Sequence, residues 1–543
     1  MRKSIIRVFA LCFIFHVDQN LAIGQRAARP AEEKLEVGSA EAIKYSNTIK
    51  AGSLKEHLQV LASDEYEGRE TGQRGQKKAA QYLADYYKSL GLQPIVNGSW
   101  FQQYPLKKES YLNSSADSKG KKYKFIEDFY FFGNEAGDLK AEQIVFAGYG
   151  IEDVKYSDYK GLDVNGKVVM CLMGEPTSKK GIHIITGNES TSSWSDDWEQ
   201  KAELASRKGA KAILFVNMYY DQYLKRVRYW LEQAPMRLDR PEEPEVGYKR
   251  IPIIFISPEM ANDILISAKS KVEDLNLKID KKSKTKTKKV ASDLVFHMEP
   301  QSEKLDAENV LCFIEGTDPV LKNEIVVISA HYDHIGIVNG NINNGADDDG
   351  SGTVTTLELA EAFVTAKNEG QGTKRSILIL NVSGEEKGLL GSEWYSLFPV
   401  FPLENTVCDL NIDMIGRKDD AHPDPNYVYI IGSDKLSTDL HKISENCNKE
   451  YTNLALDYTY NNPDDPNRFY YRSDHYNFAK NNIPVIFYFS GVHEDYHKPG
   501  DDTEKILFDK METIAKLVFH TAWVVANRDE KLKVDVINNF EQD

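Results

Sequence analysis

Between residues 324 and 489, four short runs are apolar almost without interruption, EIVVISA, SILILNV, YVYIIG and IPVIFYF, and a fifth, TVCDLNID, is half apolar. A strand with one face in water alternates apolar and polar residues, whereas a strand covered on both faces has no reason to. The lengths of these runs and their turn-rich boundaries mark them as strands rather than buried helices. Among them lie SGTVTTLELAEAFVTAKN, STDLHKISENCNKE and DTEKILFDKMETIAKLVFHTAWVVANR, whose apolar residues recur at helical spacing. Strand and helix in alternation predict an α/β fold, with a mixed, largely parallel central sheet carrying helices on both faces.

The residues before this region divide into three parts. MRKSIIR, VFALCFIF and LAIG form a basic, an apolar and a small-residue segment ending before Gln25. That pattern predicts a signal peptide over residues 1–24 and a secreted or periplasmic protein. No later run reaches the ~18 apolar residues of a membrane span, so no integral membrane segment is expected after cleavage. Residues 25–100 contain helical patterns, LKEHLQVLA and AAQYLADYYKSLGL, with no sheet of their own. They are expected to pack on the sheet that follows.

From 101 to 299 the texture changes to short strands such as AEQIVFAGYG, GKVVMCLMG, KAILFVN and IPIIFIS, with one clear helix, DDWEQKAELASRKGA. This block is expected to be an inserted, smaller, β-rich α/β domain, leaving 300–543 as the main domain. The basic run KIDKKSKTKTKKVA near its end reads as a solvated linker or edge loop. Acidic residues outnumber basic ones, 83 to 67, and no basic face is visible, so a nucleic-acid partner is not expected. Cys171, Cys312, Cys408 and Cys447 lack metal-type spacing and read as small core residues.

The chemistry collects where the apolar strands stop. HYDHIG places His331, Asp333 and His334 after one strand, SGEE places Glu385 and Glu386 after the next, and Asp413 ends a third. YHKPGDD, with His497, follows a fourth, and NNGADDDGSGT crowds Asp347, Asp348 and Asp349 into one loop. Ligands of open α/β sheets bind at the carboxyl ends of strands. Adjacent carboxylates repel unless a positive charge sits among them. Two histidines and three carboxylates can hold two divalent cations with one carboxylate bridging, −3 set against +4. Imidazole beside oxygen ligands favours zinc, or cobalt and manganese, over magnesium and calcium.

AHYDHIG, NNGADDDGSGT, SGEEKGLLGSEWY, NIDMIGR and YRSDHYNF…DYHKPGDD, in that order, resemble the di-zinc peptidases of metallopeptidase family 28. The resemblance covers the C-terminal half closely and extends to LASDEYEGRETGQRGQKKAAQYLADYYKSLGL. The middle block resembles, more loosely, the protease-associated insert of some members. It implies a zinc-exopeptidase fold with two Zn²⁺ per chain: His331 and Asp413 on the first ion, Asp348 bridging, Glu386 and His497 on the second. Glu385 matches the general base, and Tyr470 a residue that polarises the substrate carbonyl, with Tyr471 as a competitor for that role. Asp333 and Asp501 are expected to accept the other N–H of His331 and His497. Asp347, Asp349 and His334 read as loop-shaping or hydrogen-bonding residues rather than ligands.

The implied protein is a secreted exopeptidase acting on peptides or proteins, an aminopeptidase before its rivals. A carboxypeptidase on the same site would use Arg468 and Arg472 to clamp a terminal carboxylate. A glutaminyl cyclase would need one metal, and a receptor-like relative none.

Overall fold

The computed structural model describes residues 40–132, 136–178, 180–232, 234–240, 249–282 and 286–538. The expected signal peptide lies outside them. The large sheet has nine strands, numbered here in chain order: β1 Phe101–Ser110, β2 Met236–Leu238, β3 Gln301–Ile314, β4 Ile325–His331, β5 Ser376–Val382, β6 Thr406–Ile412, β7 Tyr427–Ile431, β8 Ala455–Asp457 and β9 Val485–Phe489. Their order across the sheet is β8-β7-β9-β6-β4-β5-β3-β1-β2. The central block β9-β6-β4-β5 is parallel throughout, while β3, β1 and β2 continue antiparallel.

The apolar runs fill both faces, as their lack of alternation requires. Val326 and Ile328 of β4, with Ile377 and Ile379 of β5, join one core with helices Ala51–Leu61, Arg74–Ser89, Gly352–Asn368 and Phe508–Asn527. Their strand neighbours Ile325, Val327, Leu378 and Leu380 point the other way, to Tyr395 of helix Leu390–Leu397 and Phe478 of helix His475–Ala479. The helices before residue 100 therefore do cover this sheet.

Between β1 and β3 the chain builds a second, eight-stranded sheet with its own core, which includes Ile144, Val169, Phe215 and Phe255. Its strands run from Ser115–Ser118 to Thr287–Met298. The sequence boundary at 101 falls too early. Phe101–Ser110 pairs with β3 from Phe101↔Val310 to Ser110↔Gln301 and belongs to the large sheet, as does Met236–Leu238. The run FQQYPLKKES is half polar because it lies near the sheet edge, and so it reads like the block that follows it. The basic run is also not a simple loop: it closes helix Val272–Lys282 and opens strand Thr287–Met298, where Thr287 and Lys289 are exposed. The four cysteines are buried and unbridged. No described helix is long and apolar enough to cross a membrane.

One side chain ties the N-terminal helices to the loop carrying the aspartates. Arg69 is 1% exposed. Its guanidinium donates to the carbonyls of Tyr332 (2.8 Å), Leu61 (2.8 Å), Asn344 (2.7 Å) and Gly345 (2.8 Å), and none of these is a carboxylate. Burial lowers its pKa, opposed by the charges of Asp333, Asp501, Asp348 and Asp349. Replacing Arg69 by Met would strand these buried carbonyls, at ~1–3 kcal/mol each. Arg69→Met is therefore expected to lose at least about 4 kcal/mol in urea unfolding, with Arg69→Lys recovering part. Unchanged stability would show that the loop is held by something else.

Candidate metal centre

The four parallel strands end at one edge of the sheet, and the polar clusters lie there together. His331 is the last residue of β4, whose neighbours β5 and β6 lie on opposite sides, so the strand order reverses at this point. Glu385 and Glu386 follow β5 in a single 3₁₀ turn, entered through Gly384 at φ +76°. Asp413 follows β6, and the loop after β9 brings in His497.

Asp348 divides its oxygens between two groups. Oδ1 lies 3.4 Å from His331 Nε2, which is also 3.6 Å from Asp413 Oδ1 and 3.9 Å from Glu385 Oε2. Oδ2 lies 3.0 Å from His497 Nε2 and 3.7 Å from His334 Nδ1. Glu386 completes the second group, with Oε2 3.1 Å from His497 and Oε1 2.8 Å from His334. The donor atoms of His331, Glu385 and Asp413, and those of His334, Asp348 and Glu386, each lie within 4.8 Å of one another.

These residues fit divalent cations on their own chemistry. Buried polar atoms are nearly always hydrogen-bonded, yet Asp348 Oδ2, Glu386 Oε1 and both nitrogens of His334 have no aligned partner despite their proximity. Donor atoms that face one another without hydrogen-bond alignment are arranged as ligands around a shared cation. Nitrogen and oxygen donors together suit zinc.

The neighbouring glutamates differ electrostatically. Burial pushes the Glu385 carboxyl well above the usual range; His331 opposes this, and the charges of Glu386 and Asp413 add to it. Burial and Asp348 also push Glu386 upward, but His334 and His497 outweigh them and hold it at about 2. His331 is raised despite burial, by Glu385 and Asp413, and His497 is raised to about 10 by Asp348 and Glu386.

All five metal positions expected from the sequence, and Glu385, therefore converge. Several other expectations need correction. His334, read as loop-shaping or hydrogen-bonding rather than a ligand, stands inside the second group, with Nδ1 2.8 Å from Glu386 Oε1. His331 Nδ1 is 3.1 Å from the backbone carbonyl of Asp333, while the Asp333 carboxylate is 3.7 Å away. That carboxylate instead accepts from Thr71 Oγ1 (2.6 Å) and Glu385 N (3.3 Å), orienting the glutamate turn. Asp501 shows no contact with His497. It accepts from the backbone N–H groups of Asp347 and Asp348 and so holds the aspartate loop. Asp347 and Asp349 are loop-shaping as expected, accepting from Gly416 N and from Gly352 N and Met414 N respectively.

Tyr470 is buried against Gly432 and packs on Tyr471, His475 and Tyr476, away from the cleft. The tyrosine lining the cleft is Tyr496, stacked on His497 with ring centroids 3.9 Å apart. Its place immediately before His497 was the available signal. His493, 3.3 Å from Asp347 Oδ2, is a further residue the motifs did not flag. The cleft itself is lined by His331, Asp348, Glu385 and Asp413 on one side and by Phe469, Phe487 and Phe489 on another.

Comparison with known proteins agrees with this geometry. Residues 309–522 match the model of peptidase family M28. The chain is 32% identical over 222 residues to a probable leucine aminopeptidase of Arthroderma benhamiae, covering 38% of this chain and 56% of that one. It is likewise 32% identical over 230 residues to leucine aminopeptidase 1 of Sclerotinia sclerotiorum, covering 39% and 55%. The chain thus spans about half the length of the curated relatives it matches. Among solved structures, the aminopeptidase from Aneurinibacillus sp. strain AM-1 shares the fold, with a TM-score of 0.50 at 18% identity over 92% of this chain and 98% of that one.

An imidazole must be neutral to bind a metal, whereas carboxylates hold His331 and His497 protonated in the metal-free site. Loading the metal-free protein with zinc at pH 7 is therefore expected to release protons, and affinity should rise with pH. Titration calorimetry in buffers of different ionisation enthalpy measures the release. A buffer-independent enthalpy would exclude protonated histidines at this site.

Proposed function

We propose that this chain is a zinc aminopeptidase that removes N-terminal residues from peptides and is exported by its N-terminal leader. The observation that carries the reading is a cleft in which two carboxylate–histidine groups share Asp348 and open, beside Glu385, onto an aromatic wall. The leader sequence supports export, and the M28 match and the leucine aminopeptidase relatives support the reaction class.

In this reading His331, Asp413 and Asp348 would hold one zinc, and Asp348, Glu386 and His497 the other. When bound, such ions polarise a scissile carbonyl and lower the pKa of an attacking water. The work of moving the proton falls to Glu385. Its carboxyl is held high by burial and by two like charges, so it takes a proton readily and can return it to the leaving amine. Glu386, one residue on, is held ionised and suits metal. Two titratable neighbours pushed apart in this way are the usual mark of divided acid–base and binding roles. The carboxylates along one side of the cleft favour a cationic group, which an unblocked N-terminus supplies. Phe469, Phe487 and Phe489 offer an apolar surface for the side chain of the residue being released.

Peptides with free N-termini should be shortened stepwise from that end, while N-acetylated versions of the same peptides survive. Mass spectrometry of the products decides it, and release from the carboxyl end would overturn the assignment. Within the glutamate pair, Glu386→Ala is expected to lower zinc content and activity together. Glu385→Ala should keep its zinc and lose about 10²–10⁴-fold in kcat. Elemental analysis alongside kinetics separates the two, and loss of zinc in Glu385→Ala would reverse the roles.

A further inference from the structure

Arg472 stands in the cleft, and among the described residues no ion pair holds it. It lines the same space as His331, Asp348, Glu385 and Asp413, and it is the one arginine or lysine among the described residues that do so. Its side chain is exposed. Its guanidinium lies over the Phe469 ring, 5.0 Å from the centroid, and among the described residues no carboxylate pairs with it. The aspartates nearest in sequence are engaged elsewhere: Asp465 accepts from the backbone of Asn467 and Phe469, and Asp474 from Ser392.

The position of this arginine is tied to the metal centre. The next residue, Ser473, donates from Oγ to Asp413 Oδ2 at 2.7 Å and accepts from Asn411 Nδ2 at 2.8 Å. The backbone bearing Arg472 is thereby fastened to one of the carboxylates that could hold metal. A guanidinium lying over a ring keeps its edge N–H groups free, in the planar fork that matches a carboxylate. The rest of the charged lining is acidic or imidazole, in a chain of net charge −16, so an anionic group entering the cleft would otherwise be repelled.

We propose that Arg472 is a specificity-determining residue that receives a carboxylate of the substrate, deepening the aminopeptidase reading on which it rests. The cleft then has an acidic end for the substrate amine and a cationic end for a carboxylate. That carboxylate comes either from an acidic side chain on the released residue or from the C-terminus of a short peptide.

Two matched pairs of unblocked substrates distinguish these sources in the zinc-loaded enzyme. N-terminal Glu against Gln on the same amide leaving group reports the side chain. Leu-Gly-Gly against its C-terminal amide reports the terminus. The wild type should favour the acid member of one pair by roughly 10- to 100-fold in kcat/KM, as charge-assisted hydrogen bonds allow. Arg472→Gln should abolish that preference through the acid member alone, leaving neutral substrates within about threefold, while Arg472→Lys keeps part of it. The proposal is overturned if the wild type prefers neither acid, or if Arg472→Gln slows acid and neutral members alike. If no peptide is cleaved, the aminopeptidase reading fails instead. Calorimetric binding of the same four compounds to wild type and Arg472→Gln then decides the arginine separately.

Discussion

The structure depends on holding a crowd of carboxylates at the end of a hydrophobic sheet. Asp333, Asp347, Asp348, Asp349, Asp413 and Asp501 are all buried, and Glu385 and Glu386 nearly so. Ionised groups in such surroundings are costly unless each is paired or bonded. The backbone bonds one oxygen of Asp349, from Gly352 and Met414, one of Asp347, from Gly416, and both of Asp501, from the aspartate loop itself. Those hydrogen bonds leave the inner ones, Asp348, Glu386 and Asp413, facing histidines. Arg69 contributes positive potential without touching any carboxylate, because four of its five N–H donors are occupied by carbonyls. It thus fixes the loop while leaving the oxygens of Asp348 directed at the two imidazole groups.

Much of this could be read from the chain alone, for identifiable reasons. Strands covered on both faces are largely apolar rather than alternating, so β4, β5, β7 and β9 stand out, while β6 carries the buried Asp409 and Asn411 among its apolar residues. Residues at their carboxyl ends must then share an edge, which is why His331, Glu385, Glu386, Asp413 and His497 could be named from position and motif. What stayed hidden was set by contacts distant in sequence. The β1 segment alternates like the insert and declares itself only by pairing with β3, some 200 residues on. His334 looks the same in sequence whether it props a loop or faces Glu386, since the distinction is a side-chain direction. Asp501 follows His497 closely enough to suggest a partnership, but its oxygens are taken by the N–H groups of residues over 150 positions earlier. Tyr470 and Tyr496 differ in burial and cleft placement, which no spacing rule conveys.

The pair Glu385–Glu386 shows how one turn gives two identical side chains different environments. The backbone N–H of Glu385 is bonded to Asp333 while Gly384 takes up a positive φ, so successive side chains diverge. One points toward His331 and the like charge of Asp413, the other toward two imidazoles. Burial acts on both in the same direction, and the neighbours decide the sign of the net shift.

The ladder between β1 and β3 has a consequence for how such a chain tolerates its long insert. Ser110 and Gln301 are cross-strand partners, so the intervening segment leaves and re-enters the large sheet at adjacent points. Topologically it occupies the place of a hairpin loop. Closing a larger loop there costs only a slowly growing entropy term, and the large sheet meets the same two strand ends whatever lies between them. Such a junction is a modular port, at which one accessory domain could be exchanged for another without re-registering the sheet. The strand Met236–Leu238 is the exception, since it pairs with β1 from within the insert. Any replacement would inherit an unprotected strand edge, the kind of surface that recruits stray strands, and would have to cover it anew.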